Sequence, residues 1–64
     1  MYINTIKYKK RLKEKGLTTN FLIEKTDVSR AQFYKYINSE IEATANFILR
    51  LSKELVCPVS YLVK

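Results

Sequence analysis

Between Ser29 and Asn38 a single short helical stretch holds an arginine, an alanine, a glutamine, an outward tyrosine and a lysine. These residue types can read the edges of base pairs. Arginine forks onto the two acceptors of guanine in the major groove, glutamine or asparagine grips adenine through two hydrogen bonds, and alanine touches the thymine methyl. With Phe33 turned toward a core and about 100° added per residue, Tyr36 and Ile37 fall beside it. Ala31, Tyr34, Lys35 and Asn38 fall on the opposite side, with Arg30 and Gln32 on the flanks. A merely solvated helix would carry mostly Glu, Lys and Gln there. The expected base contacts are Arg30, Ala31, Tyr34 and Lys35, with Gln32 divided between that role and a structural one at the helix start.

Other chemistry is poorly provided for. The chain has no histidine and one cysteine, Cys57. Neither a zinc site nor a Cys–His or Ser–His pair can be assembled, and no disulfide can form within a chain. The six carboxylates fall among lysines on expected solvent faces. Catalysis, a cofactor and a metal are therefore not expected, and 64 residues leave little room for a small-molecule pocket. A chain this short buries only about 60% of the surface that its unfolded form exposes, so a single domain is expected over residues 1–64.

Net charge is +6 and pI about 9.6. Residues 1–17 hold Lys7, Lys9, Lys10, Arg11, Lys13 and Lys15 against Glu14 alone, a net of +5, which leaves +1 for the rest. Such a segment suits phosphates, an anionic membrane surface or an acidic protein. The first 10 residues contain no apolar run of signal-peptide length, and no stretch approaches a membrane span. A free cysteine without an export signal fits a reducing cytoplasm.

The elements that must position the third-helix face are legible as helix start signals. No segment alternates apolar and polar residues between turn residues, so no strands are expected. A first helix is predicted from about Ile3 to Lys15, with Ile6, Tyr8 and Leu12 as buried positions, closed by a left-handed Gly16. Thr18 can cap a second helix ending near Lys25 or Thr26, stapled by Leu17 and Leu22, with Asp27 in the turn. Ser29 and Gln32 make a capping box for the third helix, with Val28 and Phe33 as its staple and Asn38 as its end. Thr44 can cap a fourth helix bearing Phe47, Ile48, Leu51 and Leu55. Pro58 suits the first turn of a last one holding Val59, Leu62 and Val63. The result is an all-α bundle of about five short helices. Its second and third helices, over about residues 18–38, are so closely joined that they should cross steeply as a helix-turn-helix.

These residues resemble the phage-repressor family of Cro-like and lambda-repressor-like helix-turn-helix domains. The run Lys15-Gly16-Leu17-Thr18 looks like the family's approach to its second helix, and Leu22, Val28, Ser29 and Phe33 lie where it places core and capping residues. The segment Leu51 to Leu62 is similar to its fourth-helix exit and last helix, and the register holds without gaps from about Lys13 to Leu62. The resemblance implies a five-helix bundle whose third helix enters the major groove of double-stranded DNA, often as a two-fold dimer on half-sites about 34–36 Å apart. It implies phosphate contacts at Thr19 and Asn38; Ser29 and, from the basic first helix, Lys10 and Arg11 are further candidates for the backbone. It also implies that Cys57 is a core residue. The excess apolar residues Val59, Tyr61, Leu62 and Val63 are the expected dimer surface. A small cytoplasmic repressor is the reading this supports, and the Ile-, Lys-, Asn- and Tyr-heavy composition suggests an A/T-rich phage or mobile element as its source.

Three departures from the family pattern stand out. Ile23 and Asp27 replace the usual small residue of the second helix and the turn glycine, which would set the two helices slightly farther apart. Leu12 and Ile37 stand where many members pair an arginine with a glutamate; a matched apolar pair there can be neutral or stabilising. The loop after the third helix reads Ser39-Glu40-Ile41-Glu42, two carboxylates where the family welcomes a phosphate, with Ile41 expected to tuck under the fourth helix. That loop, with Tyr34, motivates the alternative of a protein-binding inhibitor or adaptor that keeps the fold without DNA readout. Membrane or RNA association through the first helix ranks lower, because its apolar residues are needed for the core.

Overall fold

A computed structural model describes all 64 residues. It contains α1 (Thr5–Lys15), α2 (Thr19–Thr26), α3 (Arg30–Ile37), α4 (Ala45–Leu55) and α5 (Val59–Leu62). Four of the helices begin where a side-chain oxygen takes an amide that the helix cannot satisfy. Asn4 Oδ1 accepts from the Lys7 N–H at 3.1 Å, Thr18 Oγ1 from Phe21 at 3.2 Å, Ser29 Oγ from Gln32 at 3.1 Å and Thr44 Oγ1 from Phe47 at 3.2 Å. The Thr18, Ser29 and Thr44 caps are those the sequence announces. The capping box at Ser29 closes in one direction only, since no hydrogen bond returns from the Gln32 side chain. Pro58 opens α5 with no side-chain cap.

The helix ends are less orthodox. Gly16 closes α1 in the left-handed region at φ 66°, and Asp27 does the same after α2 at φ 57°. After α4 the left-handed residue is Val56, at φ 51° and 61% exposed. A branched Cβ in that conformation crowds the following carbonyl and costs about 1–2 kcal/mol. Val56→Gly is therefore expected to raise stability by about 1 kcal/mol, or roughly 4–8 °C in Tm, measured by thermal unfolding. An unchanged or lower Tm would mean that the valine side chain packs more than its exposure indicates.

The core gathers Leu22 of α2, Phe33, Tyr36 and Ile37 of α3, and Phe47, Ile48, Leu51 and Leu55 of α4. Tyr8, Ala43, Ile3 and Leu62 complete it, with Leu12, Leu17, Ile23, Val28, Ile41 and Cys57 packed at its edge. α4 is the central helix, lying against α1, α2 and α5. α3 has no comparably close backbone pairing and is held by large rings. Phe33 meets Tyr8 edge-on at 6.3 Å and Phe47 at 5.6 Å, and Tyr36 lies 4.6 Å from Phe47.

Four expectations need correction. Ile6 is 80% exposed rather than buried, because α1 turns Tyr8 inward and Ile6 lies nearly opposite. Ile3 does not begin α1. It is extended and forms an antiparallel bridge with Val63, which in turn lies beyond α5. The Asn4 N–H donates to Leu62 O at 2.7 Å and the Lys64 N–H to Tyr2 O at 3.0 Å, so the two ends of the chain pair locally. Leu62, expected at a dimer surface, is completely buried in the chain's own core.

Candidate nucleic-acid interface

The outward face of α3 is built by the same residues that anchor it. Phe33, Tyr36 and Ile37 point inward, which leaves Arg30, Ala31, Tyr34, Lys35 and the following Asn38 exposed and Gln32 half-buried. Arg30 and Lys35 form no ion pair or hydrogen bond within the chain. No acidic residue interrupts α3. Tyr34 is 42% exposed and stands edge-on to Phe33 at 6.1 Å, so its ring is braced by the core beneath it.

Thr19 opens α2 and is half-buried. It and Tyr34 both lie close enough to Tyr8 of α1 to act on its hydroxyl. Burial pushes the Tyr8 phenol above its ordinary value; the Thr19 side chain offsets part of this, and Tyr34 adds to it. Even so, the Tyr8 hydroxyl oxygen is buried and closes no hydrogen bond. The start of α2 and the middle of α3 therefore meet around one aromatic residue of α1. Ser29 and Asn38 mark the two ends of α3, both exposed.

The loop after α3 is tied down by the N-terminal segment. Ser39 takes a left-handed conformation at φ 60°, where glycine is more at ease. Its hydroxyl donates to Ile3 O, and Ala43 N–H donates to Met1 O at 2.8 Å. Thr5 Oγ1 donates to Ile37 O at 2.6 Å and so satisfies the end of α3. Ile41 tucks against the core as expected. Of the two carboxylates, Glu42 Oε2 lies 2.7 Å from the Met1 ammonium, whose hydrogen bond and charge hold that carboxyl below its ordinary range. Glu40, by contrast, has no cation within ion-pair distance.

The structure reassigns one of the two first-helix cations expected at phosphates. Arg11 Nε donates to Leu55 O at 2.9 Å and Nη2 to Val56 O at 2.8 Å, with Nη1 at 3.4 Å from Glu14. Its guanidinium closes the C-terminal end of α4, where unsatisfied carbonyls favour a cation. Arg50 Nη1 reaches Thr26 O at 3.4 Å in a weaker version of the same arrangement after α2. Neither role has a local sequence signal, because each arginine meets a helix end far away in the chain. Arg11→Ala is expected to cost about 1–2 kcal/mol of stability by denaturant unfolding, a charge-assisted bond discounted for partial exposure. The salt dependence of DNA binding should stay unchanged; a slope reduced by one phosphate would return Arg11 to the interface.

Lys10 is exposed, on the rim of a surface groove of about 380 Å³ lined also by Arg11, Glu14, Val56, Cys57, Pro58 and Tyr61. The chain therefore does carry one concavity, and no residue of α3 lines it. Lys7 Nζ sits 5.3 Å above the Tyr61 ring. Cys57 is half-buried; burial raises its thiol pKa, and Arg11 opposes this in part. The thiol is accordingly protonated at neutral pH and a poor nucleophile. Of the expected dimer residues, Val59, Tyr61 and Val63 are only partly exposed.

No helix is long and apolar enough to cross a membrane. No curated protein and no solved structure matches the chain. A family model of the Cro/C1-type helix-turn-helix DNA-binding domain matches residues 7–63, from the first turn of α1 to the bridge at Val63. That match covers nearly the whole chain and all five helices, and the chain belongs to the Cro/C1-type helix-turn-helix DNA-binding family.

Proposed function

We propose that this chain is a sequence-specific reader of double-stranded DNA that acts as a small repressor of Cro type. The observation that carries the reading is the outward face of α3. Two cations without intrachain partners, a small apolar residue and a braced tyrosine share a surface that contains no carboxylate. Arg30, Ala31, Tyr34 and Lys35 are the base-contacting set, joined by Gln32, whose side chain is not spent on the capping box. Thr19, Ser29, Asn38 and Lys10 are the phosphate contacts around it. Two copies bind a two-fold site, associating through the exposed parts of Val59, Tyr61 and Val63.

The test is selection of bound duplexes from a randomised pool at moderate salt. A two-fold symmetric site is the expected result. If the folded protein enriches no sequence, the reading fails, and protein partners of the α3 face become the better explanation. An enriched site lacking symmetry would remove the dimer while keeping the reader.

A further inference from the structure

Val56 breaks a local rule that nothing in the fold repays. It holds the left-handed turn after α4 at φ 51°, where a branched Cβ is strained, yet its side chain is largely exposed and does not join the core. A rule broken without a gain in packing points to a use. That side chain lines the groove of about 380 Å³ between α1 and the α4–α5 connection. Cys57, Pro58 and Tyr61 join it there, and Lys10, Arg11 and Glu14 supply the α1 side. Arg11 fixes the shape of the groove, because its bonds to Leu55 O and Val56 O at 2.9 and 2.8 Å tie α1 to the turn. A concavity set before binding costs little to order.

Positive charge surrounds this apolar wall. Lys7 Nζ stands 5.3 Å above the Tyr61 ring, Lys10 is exposed, and neither forms an ion pair. Glu14, the one carboxylate at the groove, lies 3.4 Å from Arg11 Nη1. Ile6, one turn before Lys10 on the same face of α1, is 80% exposed and extends the mixture of apolar and cationic surface along the helix. We propose that the groove docks an acidic segment of a partner protein. The segment seats one aromatic side chain against Val56, Pro58 and Tyr61 and sets its carboxylates beside Lys7 and Lys10. The anchor supplies affinity, while the cations supply approach and register. A second copy docked on α1 would be opposed by charge, since residues 1–17 of each chain carry a net of +5. A duplex would satisfy the lysines but leave the exposed Ile6 and Val56 without a counterpart. No residue of α3 lines the groove, so the inference stands apart from the DNA reading. Lys10 and Tyr61, given a phosphate and a second copy above, meet the segment in the chain off DNA.

The probes are a short synthetic polyglutamate peptide with one central phenylalanine and the same peptide with alanine in its place. Each is labelled and titrated with the DNA-free chain, and anisotropy reports binding. The phenylalanine peptide is expected to bind about tenfold more tightly, the scale of a phenylalanine ring buried in part. Val56→Gly should erase that preference while keeping or raising the parental Tm, so that lost binding is not lost folding. Lys7→Ala should weaken both peptides more than Lys15→Ala does, although each removes one charge from α1 and only Lys7 stands over Tyr61. Equal affinity for the two peptides overturns the proposal, since charge alone would then explain binding. A preference that survives Val56→Gly places the anchor elsewhere and overturns it too, as do equal losses for Lys7→Ala and Lys15→Ala. A lowered Tm in Val56→Gly removes the premise, because the valine would then serve the fold. Binding to phosphatidylglycerol vesicles with no binding to either peptide gives the face to a lipid surface instead. A parental dimer that Val56→Gly converts to monomer in sedimentation, with no peptide preference, gives the groove to a second copy.

Discussion

Phe33→Ala is expected to remove more than half of the chain's folding stability at 25 °C. Phe33 is completely buried and is the ring on which α3 depends, since that helix has no close backbone pairing of its own. Removing it takes away the edge contacts with Tyr8, Tyr34 and Phe47 at once. Truncating a buried phenylalanine costs about 3–5 kcal/mol. A domain of this length has only about 3–10 kcal/mol of total stability at the usual 0.05–0.15 kcal/mol per residue. The loss thus consumes a large part of the whole, and denaturant unfolding followed by circular dichroism should show a shortened native baseline. Phe33→Leu, which refills much of the site, should stay folded and retain a weaker transition. A Phe33→Ala protein that unfolds near the parental midpoint would show that α3 is anchored by other contacts, with Tyr36 and Ile37 the first to examine. The prediction also bears on function, because the residue that fixes the core also aims Arg30 and Lys35.

What the sequence discloses is governed by range. Thr18, Ser29 and Thr44 were identifiable as caps because a cap needs only its own next three residues. Phe33, Tyr36 and Ile37 were identifiable as the inner face of α3 because spacing within one helix fixes direction. The same rule separates Ile6 from Tyr8: two positions along a helix are about 200° apart, so the two cannot both face one core. The other misses are long-range. Nothing near Ile3 or Val63 announces their bridge, and Leu62 is buried because the N-terminal segment lies over it. Arg11 looked like one more cation in a basic helix, yet its partners are Leu55 and Val56, far along the chain. A lysine-rich segment containing a single arginine was the available hint, since arginine's fork can serve two carbonyls at once. The left-handed Ser39 and Val56 had no signal at all, because neither residue type prefers that conformation.

The exposed cations of α3 give the second large effect, and it falls on binding instead of stability. Arg30→Ala is expected to weaken binding to a selected site by about 1–3 kcal/mol per half-site, with specificity relaxed at one base pair. The Tm should barely move, because Arg30 is exposed and makes no intrachain polar contact. Lys35→Ala separates two roles. If Lys35 meets a base, its loss relaxes specificity; if it meets a phosphate, affinity falls evenly across sequences and the salt slope drops by about 1. Equal losses on selected and mixed duplexes for both variants would deny α3 the reader's role, while leaving a protein that binds DNA through charge. The same measurement reports on symmetry. In a two-fold complex each substitution acts once in each half-site, so the loss for Arg30→Ala on a full site should be about twice that on an isolated half-site. A monomeric reader would lose the same amount on both. The comparison therefore tests the dimer through the energetics of α3, independently of whether Val59, Tyr61 and Val63 form its contact surface.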